Sequence, residues 1–429
     1  MKNGNSTTLA DVVLSLSAAL DLISPAVVNH HRRVSHLASL IALEAGLSPR
    51  QQHDIALAGL LHDAGAFSLK ERIDTLTFEI NAPHDHAERG YLLLKTFAPL
   101  TTVAGMVRHH HVPWDNGNGQ VFQGEPVSTA SNILHLADRV AVLVNDTQPI
   151  LNQVDGIMAV IRQHKSSLFQ PELVDCFMAV ARREYLWLEL ASQALDSFIQ
   201  SRLGYCRVEI PSESLDELTR LFSRIIDFRS SFTALHSSGV AAVAERIAQL
   251  QGFPQEESIL LRIAGNLHDL GKLAVPREIL EKREQLTTAD QNLIRAHSYY
   301  TYQALTPLNK LSGVREWASF HHERSDGSGY PFHVTGDEFD IGCRIVAIAD
   351  IFTALTENRP YRAGMGRNAA RHELKEMTVL NKIDKRLMAD VSDCYDDLTA
   401  TCLRAKEQSL SEYLRFRGTF DSWARQARA

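Results

Sequence analysis

"RIVAIADIFTAL", residues 344–355, is an apolar run broken by one carboxylate, Asp350. A carboxylate buried alone is costly, so Asp350 needs a counter-charge. The run has a counterpart far upstream, "ILHLADRVAVL" (133–143), centred on Asp138. The two aspartates stand 212 residues apart, and other polar landmarks repeat at nearly the same interval. His30 and His236 are separated by 206 residues, as are the doublets His62-Asp63 and His268-Asp269. His86 and His297 differ by 211, and His109 and His321 by 212. An offset this steady over half the chain marks a duplicated domain, not a short solenoid repeat. Its extra residues enter between the second and third motifs.

The text around these landmarks is helical. "VVLSLSAALDLI" (12–23), "LFSRIIDF" (221–228) and "VAAVAERIAQLQGF" (240–253) place apolar residues at three- and four-residue spacing. Strand-like alternation is scarce, "YCRVEIP" (205–211) being its best example. After it, Ser212 or Ser214 can cap a new helix. The expected fold class is all-α, with two tandem helical domains spanning 1–204 and 205–429.

Composition narrows the function. The chain has 429 residues, enough for each half to bury its own core. The formal net charge of −7 argues against a broad nucleic-acid or membrane face. Cys176, Cys206, Cys343, Cys394 and Cys402 include no CxxC pair, which fits reduced thiols. The amino terminus lacks a signal pattern and no apolar window reaches bilayer length. A cytoplasmic protein is expected.

The chemistry lies in the ordered set His236, His268, Asp269, His297, His321, His322 and Asp350. Any one histidine in apolar text is well explained by core packing. The whole set is not, because neutral imidazoles cannot balance buried carboxylates, whereas a metal ion can. Imidazole with carboxylate suits Fe or Mn, with Ni and Zn as further candidates. Seven ligands exceed one tetrahedral ion and suit two ions about 3.5–4 Å apart, with Asp269 able to bridge them. Lys272 can meet developing phosphate charge, Arg359 and Arg362 can fork a second phosphate, and Tyr330 sits in a Gly-Pro-stiffened turn.

With "HDLGK" (268–272), "HHERSDGSGYP" (321–331) and "NRPYR" (358–362), the second half resembles the HD-GYP branch of the HD phosphohydrolases. The resemblance covers about residues 225–365. It implies a helical, metal-dependent phosphodiesterase that cleaves cyclic dinucleotides. It implies one ion on His236, His268, Asp269 and Asp350, and a second on Asp269, His297, His321 and His322. Lys272 and Asp269 would be catalytic, with Arg359, Arg362, Tyr330 and Asp326 at the substrate. Some members hold a third ion on a glutamate four residues before the first histidine. Here that position is Phe232, so two ions are implied.

The first half keeps a matching set: His30, His62, Asp63, His86, His109, His110 and Asp138. It loses the cations. Ala66 matches Lys272, His111 matches Glu323, "DNGNG" replaces the Gly-Tyr-Pro turn, and "NDTQPI" (145–150) replaces "NRPYR". Two readings stand open: a metal-loaded domain with a different or assisting activity, or a decayed copy used for packing, dimerisation or sensing. The tandem layout is similar to bacterial phosphodiesterases that degrade 3′,3′-cyclic GMP-AMP. The expected function is hydrolysis of a 3′–5′ phosphodiester of cyclic GMP-AMP or cyclic di-GMP to the linear dinucleotide. The alternatives are a nucleotidase or dNTP hydrolase, and a scaffold that binds the cyclic dinucleotide without turnover. The expected partner is that small molecule, with no DNA, RNA or membrane, and a homodimer as the candidate assembly.

Overall fold

The computed structural model describes residues 7–21, 29–78, 83–204, 208–228, 235–282, 284–308, 311, 313–335, 338–357 and 364–428. Among the described residues nearly all regular structure is helix. The one two-stranded sheet pairs Val121–Phe122 with Glu125–Pro126, antiparallel. Of the expected strand at 205–211, residues 205–207 lie outside the described residues, and Glu209 makes an isolated bridge to Thr8.

The described residues gather into two compact units. One holds 18–21 and 210–417; the other holds 8–17, 29–209 and 418–428. In the second-half unit, helix His236–Leu250 packs against both Gln255–Leu267 and Ile341–Thr356. Its Val240, Val243, Ala244 and Ile247 are fully buried, which is the i, i+3, i+4, i+7 stripe that amphipathic text dictates. Each larger side chain in such a stripe contributes roughly 1.5–3 kcal/mol. Ser212–Asp227 and Val314–Ser319 flank Gln255–Leu267, and His297–Ala304 packs on the short turn Leu270–Ala274.

The first-half unit repeats this plan. His30–Glu44 packs on Pro49–Leu61 and Thr129–Val142, and His84–Leu94 on Thr101–Arg108. Local signals start several helices. Ser48 with Gln51, Ser68 with Glu71 and Thr287 with Asp290 form capping boxes, and Asp340 accepts from the Cys343 amide. The serine cap expected near residue 212 is not used: helix Ser212–Asp227 has Pro211 at the capping position. Proline pre-sets the entry dihedral there and needs no donor. No described helix is long and apolar enough to cross a membrane.

Candidate metal centres

In the second-half unit the ligand-type residues sit where helices begin and end. His236 opens His236–Leu250, and His268-Asp269 follow directly on Gln255–Leu267. His297 opens His297–Ala304, and His321-His322 come just after Val314–Ser319. Asp350 projects from the middle of Ile341–Thr356. A helix end leaves carbonyls without an intrahelical partner. Three histidines use them. Nδ1 of His268 donates to Gly265 O at 2.7 Å, that of His297 to Ile294 O at 2.5 Å, and that of His321 to Ala318 O at 2.7 Å.

These bonds fix the tautomer, because a neutral ring with its proton on Nδ1 presents a bare lone pair on Nε2. Yet Nε2 of His297 and Nε2 of His321 lie 3.1 Å apart. Burial pushes the His297 ring down to about 4 and the His321 ring well below its ordinary range, so neither takes a second proton at neutral pH. Two facing lone pairs repel unless a cation lies between them. Asp269 adds Oδ1 3.4 Å from His297 Nε2 and Oδ2 3.2 Å from His268 Nε2. His322 Nδ1 lies 3.8 Å from Asp350 Oδ2. This donor set of imidazole nitrogens and carboxylate oxygens fits divalent metal binding.

His236 is held from both sides. Its Nε2 is 3.1 Å from Asp350 Oδ1, and its Nδ1 is 2.8 Å from Glu357 Oε2. Lys406 holds the other Glu357 oxygen at 2.9 Å. Burial works against the His236 cation, but Glu357 and Asp350 outweigh it and raise the ring to about 9. Lys272 Nζ stands 2.5 Å from Asp269 Oδ2. Burial would raise the Asp269 carboxyl; His268 and Lys272 outweigh it and hold the group well below the usual range. Gly271 lets the lysine turn approach this closely, since a Cβ there would lie 2.0 Å from His297 O.

The Gly-Tyr-Pro loop closes over the same place. Tyr330 packs on His322 with ring centroids 4.9 Å apart, and the Arg295 guanidinium lies 4.4 Å from the Tyr330 ring. Glu323 anchors the loop by accepting from the Phe332 and His333 amides at 2.7 and 3.2 Å. Gly329 is required there, because a Cβ would lie 2.3 Å from Glu323 Cα. Asp326 is turned elsewhere: it is exposed, and its Oδ1 accepts from the Ser328 amide and hydroxyl. Arg359, Arg362 and Phe232 lie outside the described residues.

The first-half unit assembles a matching cluster with one change of membership. His30, His62, Asp63, His86, His110 and Asp138 come together, and His111 joins them in place of His109. His110 Nδ1 donates to Val107 O at 2.6 Å, three residues back, as His321 does to Ala318. The matched pair is therefore His110-His111, and Val112, not His111, stands opposite Glu323. His109 ends helix Thr101–Arg108 facing outward from this cluster, with Nε2 3.9 Å from Glu125 and its ring edge-on to Phe122. His111 Nε2 lies 3.0 Å from His86 Nε2, and His30 Nε2 lies 3.3 Å from both His62 Nε2 and Asp138 Oδ1. Burial drives the His62 ring down to about 4, and holds the His110 and His111 rings well below their ordinary range.

Four participants carried no sequence signal: Glu357 and Lys406 behind His236, and Arg139 and Thr75 beside the first cluster. Arg139 follows Asp138, and its Nη2 lies 2.5 Å from Asp138 Oδ2. The position matching it in the second half is Ile351.

Comparison with known proteins agrees with this duplicated plan. The family model described as HD domain matches residues 15–173 and again 220–387. The 3′3′-cGAMP-specific phosphodiesterase 1 of Vibrio cholerae is 30% identical over 398 residues, 88% of this chain and 90% of the relative. The 3′3′-cGAMP-specific phosphodiesterase 3 of the same organism is 28% identical over 416 residues, 84% of this chain and 89% of the relative. A crystal structure of a cyclic GMP-AMP-specific phosphodiesterase from V. cholerae superposes with a TM-score of 0.65 at 24% identity, covering 91% of this chain and 98% of its own. Two matched segments, two clusters on equivalent helix ends and this likeness over most of the length make the chain a member of the HD domain family.

Proposed function

We propose that the second-half unit hydrolyses one 3′–5′ phosphodiester of a cyclic dinucleotide, 3′,3′-cyclic GMP-AMP or cyclic di-GMP, at two divalent transition-metal ions. The observation that carries this reading is the 3.1 Å approach of the His297 and His321 Nε2 atoms beside Asp269. The substrate class is that of the relatives, which are named for 3′3′-cGAMP. His236, His268, Asp269 and Asp350 would hold one ion, and Asp269, His297, His321 and His322 the other. When bound, such ions polarise a phosphoryl oxygen and acidify water for in-line attack.

The chain's own residues supply the rest. Water oxygen bonds to phosphorus, the P–O3′ bond breaks, and a proton passes to the leaving 3′ oxygen, giving a linear 5′-phosphorylated dinucleotide. Lys272, whose Nζ stands 2.5 Å from Asp269 Oδ2 at the rim of the cluster, is placed to donate to a phosphate oxygen and offset the charge that develops there. Tyr330, braced between Arg295 and His322, forms a rigid wall for the substrate. Arg359 and Arg362 are the proposed grips for the second phosphate. Fe or Mn suits the donor set best. A cytoplasmic setting is supported by the free thiols Cys176, Cys343, Cys394 and Cys402.

The test is turnover of the metal-reconstituted full chain with cyclic GMP-AMP, cyclic di-GMP and cyclic di-AMP side by side. Linear product from at least one, lost in His268→Ala and Asp269→Ala together with the metal of the second-half unit, is the expected result. Turnover that persists in those variants would remove the assignment.

A further inference from the structure

In the first-half cluster, each aspartate already has one oxygen engaged by the protein. The Thr75 hydroxyl donates to Asp63 Oδ2 at 3.0 Å. Arg139 places Nε 3.2 Å and Nη2 2.5 Å from Asp138 Oδ2. The guanidinium is locked, since Nη1 donates to the carbonyls of Thr77 and Phe78 and Nη2 to that of Thr75. It is almost completely buried. The second-half cluster differs at both points. Ile351 follows Asp350, and the partner of Asp269 Oδ2 is Lys272, a rim side chain 16% exposed.

We propose that the first-half centre holds a single divalent ion, on Asp63, His86, His110 and His111, and that Arg139 is a fixed internal cation in place of a companion ion. The inference rests on the reading that these clusters bind divalent metal. Three arguments carry it. The ligating atoms of those four residues all lie within 4.8 Å of one another, and three imidazoles with one carboxylate complete a four-coordinate site. A bridge through both oxygens of Asp63 would share Oδ2 with the Thr75 hydroxyl, which already draws on its charge. Asp138, 3.3 Å from His30 Nε2 and 4.0 Å from His111 Nδ1, is paired with a guanidinium held in place by three backbone carbonyls. A dication there would share its ligand with a buried positive charge. The first half is then a mononuclear centre with a built-in countercharge, neither a second copy of the hydrolytic pair nor a metal-free relic.

The probe is Mn(II) alone, on the full chain carrying His268→Ala and Asp269→Ala to remove the second-half centre. Elemental analysis should find one equivalent, and electron paramagnetic resonance should show the hyperfine pattern of an isolated ion. In that background His110→Ala should abolish binding and His30→Ala should retain it. Arg139→Gln, which keeps amide donors but removes the charge, should admit a second equivalent. Two exchange-coupled ions in the parent variant, equal losses in His30→Ala and His110→Ala, or folded protein with no Mn(II) would each overturn the proposal. If Arg139→Gln does not fold by circular dichroism, the two histidine variants still decide. If the second-half centre binds no metal, wild-type and parent variant will contain the same Mn(II), which separates that failure from this one.

Discussion

Replacing Glu357 should weaken the second-half centre without touching any proposed ligand. Glu357 Oε2 lies 2.8 Å from His236 Nδ1, and Lys406 pins the other oxygen at 2.9 Å. Both partners of that ion pair are only 12% exposed, so solvent screens it little. Burial pushes the Glu357 carboxyl up, but His236 and Lys406 outweigh burial and leave it at about 2, so it is ionised at neutral pH. Carboxylates behind ligating histidines typically account for about 10- to 100-fold in metal affinity. Glu357→Gln keeps an acceptor and loses the charge, so about tenfold is expected. Glu357→Ala loses both and strands Lys406, so the effect should approach 100-fold, about 2.7 kcal/mol.

The same carboxylate also raises the proton affinity of His236, to about 9. Below that pH an incoming ion must displace a proton from the ring. Wild-type affinity should therefore climb as pH rises towards about 9 and then level off. In the variants the ring is less basic, so levelling comes at lower pH. The two effects partly cancel near pH 7 and separate near pH 9, where the full difference should appear. The assay is competition with a chelator for Mn(II) across this range, in a His110→Ala background that silences the first-half centre. Unchanged affinity in Glu357→Ala at the high-pH end would refute the reasoning.

Lys272→Ala should retain metal and lose about 100- to 1,000-fold in rate; normal turnover with altered metal content would contradict its role. Gly329→Ala should force the Gly-Tyr-Pro loop away from Glu323, raising KM while metal content by elemental analysis stays constant. Asp227 accepts from Ser223 and Ser237, and burial, reinforced by Asp269, raises its carboxyl to about 7. A raised folded-state value stabilises the fold fully below the ordinary carboxylate range and is lost as pH climbs through about 7. In the metal-free protein, Asp227→Asn should therefore narrow the gap between Tm measured near pH 5 and near pH 8; an unchanged gap would count against the shift.

The helical class and the duplication are legible in the sequence because apolar spacing and a repeated offset are local signals. The second-half cluster follows from its ordered motifs. The first-half cluster is legible except at the run His109–His111, where three adjacent histidines offer two doublets. The choice depends on where helix Thr101–Arg108 stops, since the buried ring is the one that reaches back three residues to a free carbonyl. Helix ends are decided by packing as much as by sequence. Glu357 and Lys406 escape a linear reading because they lie 121 and 170 positions from His236 and belong to no motif. Arg139 was visible beside Asp138, but a charged residue in that position reads as solvent-facing until its three carbonyl acceptors are seen. Asp326 is placed by its own loop: a short acid in a glycine-rich turn usually accepts from that turn, as its Oδ1 does from Ser328.

A cluster gathered from helix termini leaves the stretches between those termini free to vary. The duplicated chain records this. Asp63 and His86 are separated by 23 residues and Asp269 and His297 by 28, while His62 and Asp63 remain adjacent as do His268 and Asp269. The additional five residues fall in 270–296, where they lengthen connecting text without displacing a ligand. Within that interval, the text between Lys272 and Ile294 is the natural place to graft new recognition elements, since Lys272 on Asp269 and the Ile294 carbonyl under His297 bound it on either side. Changes there would alter what approaches the centre while His297 keeps its carbonyl anchor on Ile294.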